Sequence, residues 1–209
     1  MARLVKGRLV VATHNEGKLV EMRELLAPYG IEPVSAGELG LVEPDETGST
    51  FTSNAAIKAE AATDATGLPA FADDSGLCVE ALGGEPGIFS ARWAKEAGSF
   101  ILAMDGIERR LTAASAQPPY RARFVSALAL SRPGEETLTF EGTIEGTLVF
   151  PPRGKLGFGY DPIFLPEGMT RTFGEISSIE KHGIPPDGSR ALSHRARAFQ
   201  AFARACLSD

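Results

Sequence analysis

The first 35 residues alternate between extended and helical patterns, and this alternation narrows the possible folds more than any other feature. Residues 8–13 form a short apolar, β-branched run that predicts a buried strand. Apolar residues then recur at helical spacing between positions 19 and 26, and Pro28 and Gly30 end that helix. Residues 31–35 read as a second strand. A strand–loop–helix–strand opening is typical of an α/β domain.

Later segments continue the pattern. An alanine-rich stretch without glycine or proline predicts a helix over residues 51–66 that ends at Gly67. The turn-forming composition of residues 73–76 predicts a tight turn with a short strand on each side, over 69–72 and 77–82. The remaining predicted elements are a helix over 100–114, strands over 120–131 and 137–149, and an amphipathic helix at the end of the chain, in which Leu192, Phe199, Phe202, Cys206 and Leu207 share a face.

The chain of 209 residues contains no repeat and no linker that would separate independent domains. We therefore expect a single domain over residues 1–209. Its order of elements predicts an α/β fold with a mixed sheet, helices on the faces of the sheet, and two lobes with an active-site cleft between them.

Composition excludes several classes of protein. With 21 basic and 27 acidic residues, the net charge is −6, which argues against a broad nucleic-acid-binding face. No segment has the ~18 consecutive apolar residues of a transmembrane helix, and the first apolar run is too short for a signal peptide. Cys78 and Cys206 match no zinc or redox spacing, which predicts two small core residues. We expect a cytoplasmic protein without a membrane partner.

A polar loop between the first strand and the first helix is a candidate anion site. Backbone N–H groups and the positive end of the helix dipole meet there, and a lysine adds a full charge, so a phosphate is favoured. Neither a Walker loop nor a GxGxxG motif is present. The candidate residues are Thr13, His14, Asn15, Glu16, Gly17 and Lys18.

Carboxylates form a second candidate site. Asp73 and Asp74 are adjacent in the predicted turn, where carboxylates can bind a hard divalent cation or activate water. Neighbouring residues usually point to different sides, so we expect different roles for the two. Glu46, in an acidic loop, is a possible further ligand.

Two later segments complete the pattern. In residues 157–162, glycines among aromatic residues would let backbone approach a flat ligand that stacks on a ring, while Asp161 bonds to its edge. Lys181, together with residues 193–197, gathers cations and a histidine near a helix start. Together these signals favour a nucleotide phosphohydrolase.

The motifs resemble those of the inosine triphosphate pyrophosphatase family, also called XTP/dITP diphosphatases or Ham1-like proteins. The resemblance runs from residue 9 to near the C-terminus, with its motifs in the family's order. They lie at residues 12–18, 46–48, 72–77, 83–92, 157–164 and 193–196.

The resemblance implies Mg²⁺-dependent hydrolysis of ITP, dITP and XTP to the monophosphate and pyrophosphate, with Mn²⁺ as a possible substitute, by a homodimer. It implies that Asp74 is the general base and a metal ligand, that Glu46 is a second ligand, and that Lys18 acts in catalysis and holds phosphate with its loop. Further substrate contacts are implied for Ser75, Phe158, Gly159, Tyr160, Asp161, Lys181, His194 and Arg195.

Inosine and xanthine carry a 6-keto acceptor where adenine carries an amine donor, so buried donors would reject ATP. Arg195 and backbone N–H groups near Phe158 are the candidate donors. Three alternatives stay open: a house-cleaning pyrophosphatase for another modified nucleotide, a nucleotide sensor without turnover, and a nucleic-acid-binding protein that uses Arg195 and Arg197.

Overall fold

The computed structural model describes residues 7–207. Within them the strands are β1 (Arg8–Val11), β2 (Glu32–Ser35), β3 (Ala70–Val79), β4 (Tyr120–Ser131), β5 (Leu138–Leu148) and β6 (Phe164–Pro166). The helices are α1 (Glu16–Leu26), α2 (Phe51–Thr66), α3 (Ser90–Ala97), α4 (Phe100–Ala113), α5 (Ser178–His182) and α6 (His194–Cys206).

The six strands form a mixed sheet in the order β2-β1-β3-β4-β5-β6. Strand β1 is parallel to both β2 and β3, whereas β5 and β6 are antiparallel. The predicted α/β fold with a mixed sheet and helices on its two faces is confirmed.

Two compact units divide the chain. Of the described residues, the first contains 7–74, 126–142 and 184–207, and the second contains 75–125 and 143–183.

In the first unit, the period of two along each strand separates two apolar cores. On one face, Phe71 of β3 and Leu128 of β4 pack with Phe199 and Phe202 of α6 and with apolar residues of α1. On the other face, alanines of β3 and β4 pack against the alanine side of α2. These small residues let α2 approach the sheet closely, which brings the polar side chains of α2 to the strands.

Helix ends in this unit follow local sequence signals. Asn15 is the N-cap of α1, because its side-chain oxygen accepts the backbone N–H of Lys18. Thr50 and Ser53 form a reciprocal capping box at the start of α2. Gly67 ends α2 in the left-handed conformation. The predicted span of α2 is confirmed in full.

One prediction about this region is wrong. Residues 69–82 were expected to form two short strands around a turn at 73–76, but β3 runs without a break from Ala70 to Val79. The turn-like composition is overridden because Asp73 and Asp74 find buried cationic partners in the folded chain. As residues of one strand, they point to opposite faces of the sheet.

The second unit has an aromatic core of its own. Phe124 of β4, Phe164 of β6 and Phe173 are buried, with ring centroids 4.6 Å apart for Phe124–Phe164 and 5.3 Å apart for Phe164–Phe173.

Both cysteines of the chain are buried, as predicted. Within residues 7–207, no helix is long and apolar enough to cross a membrane.

Candidate active site

Asp74 belongs to a small charged cluster in the first unit, in which Lys58 is the central residue. Its Oδ1 is 3.0 Å from Nζ of Lys58, a residue of α2, and that Nζ is also 2.6 Å from Oε1 of Glu46. The side chains of Asp74 and Lys58 are each 7% exposed, whereas that of Glu46 is 30% exposed. Among residues 7–207, the buried Oδ2 of Asp74 accepts no hydrogen bond. One carboxylate oxygen is thus held and the other is available.

Burial and charge together set the proton affinities in this cluster. Burial raises the pKa of Asp74, and the charge of Glu46 adds to the increase, while Lys58 and Lys18 oppose it. Burial lowers the pKa of Lys58, but Asp74 and Glu46 outweigh it, so the net shift is upward and Lys58 stays an ammonium. A carboxylate with a raised pKa is a stronger base, which suits proton abstraction from water.

Asp73, on the opposite face of β3, belongs to a different network. Its Oδ2 is 3.1 Å from Nη2 of Arg195 and 2.9 Å from Nζ of Lys18. Its Oδ1 accepts a 2.6 Å hydrogen bond from Oγ of Ser126. Burial alone would raise the pKa of Asp73, but Arg195 and Lys18 outweigh it and hold that pKa well below its usual range. Asp73 therefore pairs with two cations on the face of β3 opposite to Asp74, and the different roles expected for the two aspartates stay a prediction.

The predicted anion loop lies at the start of α1. The hydroxyl of Thr13 accepts the N–H of Asn15 at 3.1 Å, and Oδ1 of Asn15 accepts the N–H of Lys18 at 3.1 Å. His14 is exposed, and its Nε2 donates to the carbonyl of Leu41 at 2.9 Å. Side chains thus fix the path of the backbone through the loop, where Glu16 and Gly17 form the first turn of the helix.

In the second unit, the residues 157–161 form a cluster around one carboxylate. Oδ2 of Asp161 accepts the N–H of Phe158 at 2.9 Å and the ammonium of Lys181 at 2.6 Å. The Lys181 Nζ lies 5.4 Å from the ring centroid of Phe158 and 5.2 Å from that of Phe173, within the range of a cation–π contact. Asp161 therefore holds both an aromatic ring and a cation in place.

Tyr160 fixes the other side of this loop. Its hydroxyl donates to the carbonyl of Ser90 at 2.9 Å, and its ring meets that of Phe100 edge-on with centroids 5.2 Å apart. Gly159 has φ +67° and packs against Phe100, so the chain turns there at low conformational cost.

Gly157 is expected to tolerate no side chain. It has φ +70°, and a Cβ built on it would lie 2.1 Å from Oδ2 of Asp161. A Gly157→Ala variant should therefore displace Asp161 and raise the KM for dITP, the substrate proposed below. It should also lower the free energy of unfolding by about 1–2 kcal/mol, the cost of this conformation for an L-residue.

Gly168→Ala is the matched control, since Gly168 has φ +78° and nothing lies within 4 Å of its built Cβ. Urea denaturation and steady-state kinetics on both variants separate strain from displacement of Asp161. If both variants lose the same stability and have the same KM, Asp161 has no role in substrate binding.

The other predicted substrate residues occupy well-defined places. His194 and Arg195 are the first residues of α6, both buried, and the hydroxyl of Ser193 caps the helix by accepting the N–H of Ala196. The guanidinium of Arg195 is engaged by Asp73 and Glu21. Ser75 follows Asp74 in β3 and is partly exposed. The substrate contact implied for Ser75 stays a prediction, as does the hydrogen bond from Arg195 to the 6-keto oxygen of the base.

Three polar residues of the site escaped the sequence analysis. Lys58 lies on the alanine-rich face of α2, where it is the one charged residue among those buried. Glu21 follows Lys18 by three residues on α1, and Ser126 interrupts the apolar run of β4. In each case the available signal was a single polar residue within an apolar face or run.

The donor chemistry of the Asp74 cluster fits a hard divalent cation. Asp74 and Glu46 supply carboxylate oxygens, the ligands that Mg²⁺ prefers, and Oδ2 of Asp74 is a buried acceptor without a hydrogen bond among the described residues. Over the same range, no group of three or more acidic, His or Cys side chains is placed to hold a metal. Any Mg²⁺ here would therefore take most of its ligands from water or substrate.

Comparison with known proteins assigns the chain to a family. A model of the Ham1 family matches residues 9–205. A dITP/XTP pyrophosphatase of Rhodopseudomonas palustris is 62% identical over 210 residues, covering 100% of both chains. A dITP/XTP pyrophosphatase of Bradyrhizobium diazoefficiens is 62% identical over 209 residues, covering 99% of each.

Solved structures agree with the fold. A Ham1 protein from Coxiella burnetii aligns with a TM-score of 0.79 at 38% identity, covering 94% of this chain and 96% of that one. The Ham1 protein of Staphylococcus aureus aligns with a TM-score of 0.77 at 35% identity, covering 94% and 98%. Fold, site and relatives together define an α/β enzyme. Within that class, the chain belongs to the Ham1 family.

Proposed function

We propose that this enzyme hydrolyses deaminated purine nucleoside triphosphates, namely ITP, dITP and XTP, to the monophosphate and pyrophosphate, and so cleans the nucleotide pool. The observation that carries the proposal is the buried carboxylate of Asp74, which has a raised pKa, one oxygen on Lys58 and the other without a hydrogen bond among the described residues. Full-length relatives named dITP/XTP pyrophosphatase support the substrate class.

In the proposed reaction, Asp74 accepts the proton of a water molecule that attacks the α-phosphate, and pyrophosphate leaves. Charge develops on the leaving group, where Lys18 and the N–H groups at the start of α1 would stabilise it. Lys58 keeps the basic oxygen of Asp74 in a fixed orientation. A preorganised site of this kind needs little rearrangement during the reaction, which is the main source of electrostatic catalysis.

We propose that Asp74 and Glu46 hold Mg²⁺, for which Mn²⁺ could substitute. When bound, the ion would supply positive charge that neutralises the phosphate oxygens. In the absence of the ion, the ammonium of Lys58 pairs with the same two carboxylates and offsets one of their two negative charges.

Base selection is proposed to rest on the cluster around Asp161. The ring of Phe158 offers a surface for stacking, and the ammonium of Lys181 is a donor that suits a keto acceptor better than the amine of adenine. A site built for one hydrogen-bonding group can reject the mismatched base by about 10⁴-fold, because buried donors are left unpaired.

The direct test measures pyrophosphate and orthophosphate release from ITP, dITP, XTP, GTP and ATP, with Mg²⁺ and after chelation. We expect pyrophosphate from the first three, little product from GTP or ATP, and loss of activity with chelator that returns when Mg²⁺ is added back.

Each other outcome identifies an alternative. Release of orthophosphate would contradict the proposed cleavage between the α- and β-phosphates. If none of the five purine nucleotides is hydrolysed, a modified pyrimidine nucleotide is tested next. Its turnover would identify a house-cleaning pyrophosphatase of another class, and nucleotide binding without turnover would identify a sensor. The homodimer and the cytoplasmic location belong to this proposal as well, and both stay predictions.

A further inference from the structure

Glu21 is a buried acid that the proposed reaction does not use directly. It lies on α1, three residues after Lys18, and is 5% exposed. Its carboxylate forms a close ion pair with Nη1 of Arg195, a residue 174 positions away in the chain. A buried carboxylate needs a cationic partner, and Glu21 finds one in Arg195 while lying on the same helix as Lys18.

The ion pair connects to Lys18 through one further residue, Asp73. Arg195, 1% exposed, places Nη2 3.1 Å from Oδ2 of Asp73 and Nε 3.4 Å from Oδ1 of Asp73. The same Oδ2 lies 2.9 Å from Nζ of Lys18. Negative and positive charges therefore alternate through four residues in contact: Glu21, Arg195, Asp73 and Lys18. We call these four residues the buried charge chain. Its two acids and two bases sum to zero.

Asp73 places one negative charge between two cations, Arg195 and Lys18. The charge of Glu21 affects how strongly Asp73 attracts each of them. With Glu21 ionised, Arg195 is neutralised from both sides, and Asp73 retains attraction for Lys18. Without the charge of Glu21, Arg195 loses one of the two carboxylates that pair with it. The Asp73 carboxylate would then be drawn toward Arg195 and away from Nζ of Lys18, because a buried guanidinium attracts its remaining carboxylate more strongly.

We propose that Glu21 is a positioning residue that sets the place of the Lys18 ammonium through Arg195 and Asp73. The consequence for catalysis rests on the proposed function, in which Lys18 binds phosphate. The effect of Glu21 on the position of the Lys18 ammonium does not depend on the proposed function.

The test has a spectroscopic and a kinetic part, both on the full chain. Labelling with ¹³Cε-lysine gives signals from six lysines, and the Lys18 signal is identified by its loss in Lys18→Met. Glu21→Gln should shift the Lys18 signal and leave that of Lys155 in place. Glu24→Gln, an exposed change on the same helix, is the control and should leave the Lys18 signal unchanged.

In the kinetic part, Glu21→Gln is combined with Lys18→Met in a double-mutant cycle on dITP hydrolysis. We expect Glu21→Gln to raise the KM about tenfold in the normal chain and to have no further effect on KM in the Lys18→Met background, because it acts through Lys18.

An unchanged Lys18 signal in folded Glu21→Gln would overturn the inference, as would a KM effect that persists without Lys18. If the unmodified enzyme does not turn over dITP, the proposed function fails and the NMR signal alone decides the inference. Should Glu21→Gln not fold, Glu21→Asp keeps the charge at a greater distance from Arg195, and a smaller shift of the Lys18 signal is expected. No shift in folded Glu21→Asp would then overturn the inference.

Discussion

Replacing Asp74 with asparagine is expected to lower kcat for dITP by about 10²–10⁴-fold, the usual contribution of a positioned general base. The amide keeps the size of the side chain and can still bond to its surroundings, but it cannot accept a proton from water. The KM should change less than kcat, since the loop proposed to bind phosphate lies at the start of α1 and not on β3. Initial rates of pyrophosphate release over a range of dITP concentrations measure both constants.

The matched control is Asp64→Asn on α2, which removes an exposed carboxylate and should leave both constants unchanged. Thermal denaturation of the two variants checks that each is folded. A folded Asp74→Asn variant with normal kcat would show that another group accepts the proton.

Replacing Arg195 with methionine is expected to lower the free energy of unfolding by about 3–5 kcal/mol, the usual result of removing one partner from a buried ion pair. Arg195 is 1% exposed and neutralises both Glu21 and Asp73. Methionine fills a similar volume, so the loss of stability reports the loss of charge more than the loss of packing. Urea denaturation followed by circular dichroism gives the value.

Two further variants assign the cause. Arg204→Met removes an exposed arginine of the same helix and should cost no more than about 0.5 kcal/mol. Adding Glu21→Met to Arg195→Met removes the acid that has lost its partner and should recover part of the stability. A double variant less stable than Arg195→Met alone would mean that packing, and not charge, is the main loss.

Much of the fold could be predicted because its signals are local. Residues 51–66 contain no helix breaker and are followed by Gly67, and the helix has those bounds. The run at residues 8–13 and the helical spacing after it likewise correspond to β1 and α1. Hydrophobic periodicity and helix capping depend on residues a few positions apart in the sequence. These signals can therefore be recognised without the tertiary structure.

The error at β3 shows where local reading fails. Asp-Asp-Ser-Gly has the composition of a turn, and the prediction followed from it. A strand forms because Asp73 is bound by Lys18, Arg195 and Ser126 and Asp74 by Lys58, partners that lie between 16 and 122 residues away. Ionic partners at that separation outweigh the local preference for a turn.

The sequence by itself determined the family, the α/β class, most of the helices and strands, and the candidate residues for phosphate, base and metal. Those conclusions rest on residue types and on spacing along the chain. Only the tertiary structure decided which charges meet: Lys58 between Glu46 and Asp74, and Arg195 between Glu21 and Asp73. A buried charge is stable only with the partners that pack around it, and here those partners come from separate helices, one strand and one loop, which only the folded chain brings together.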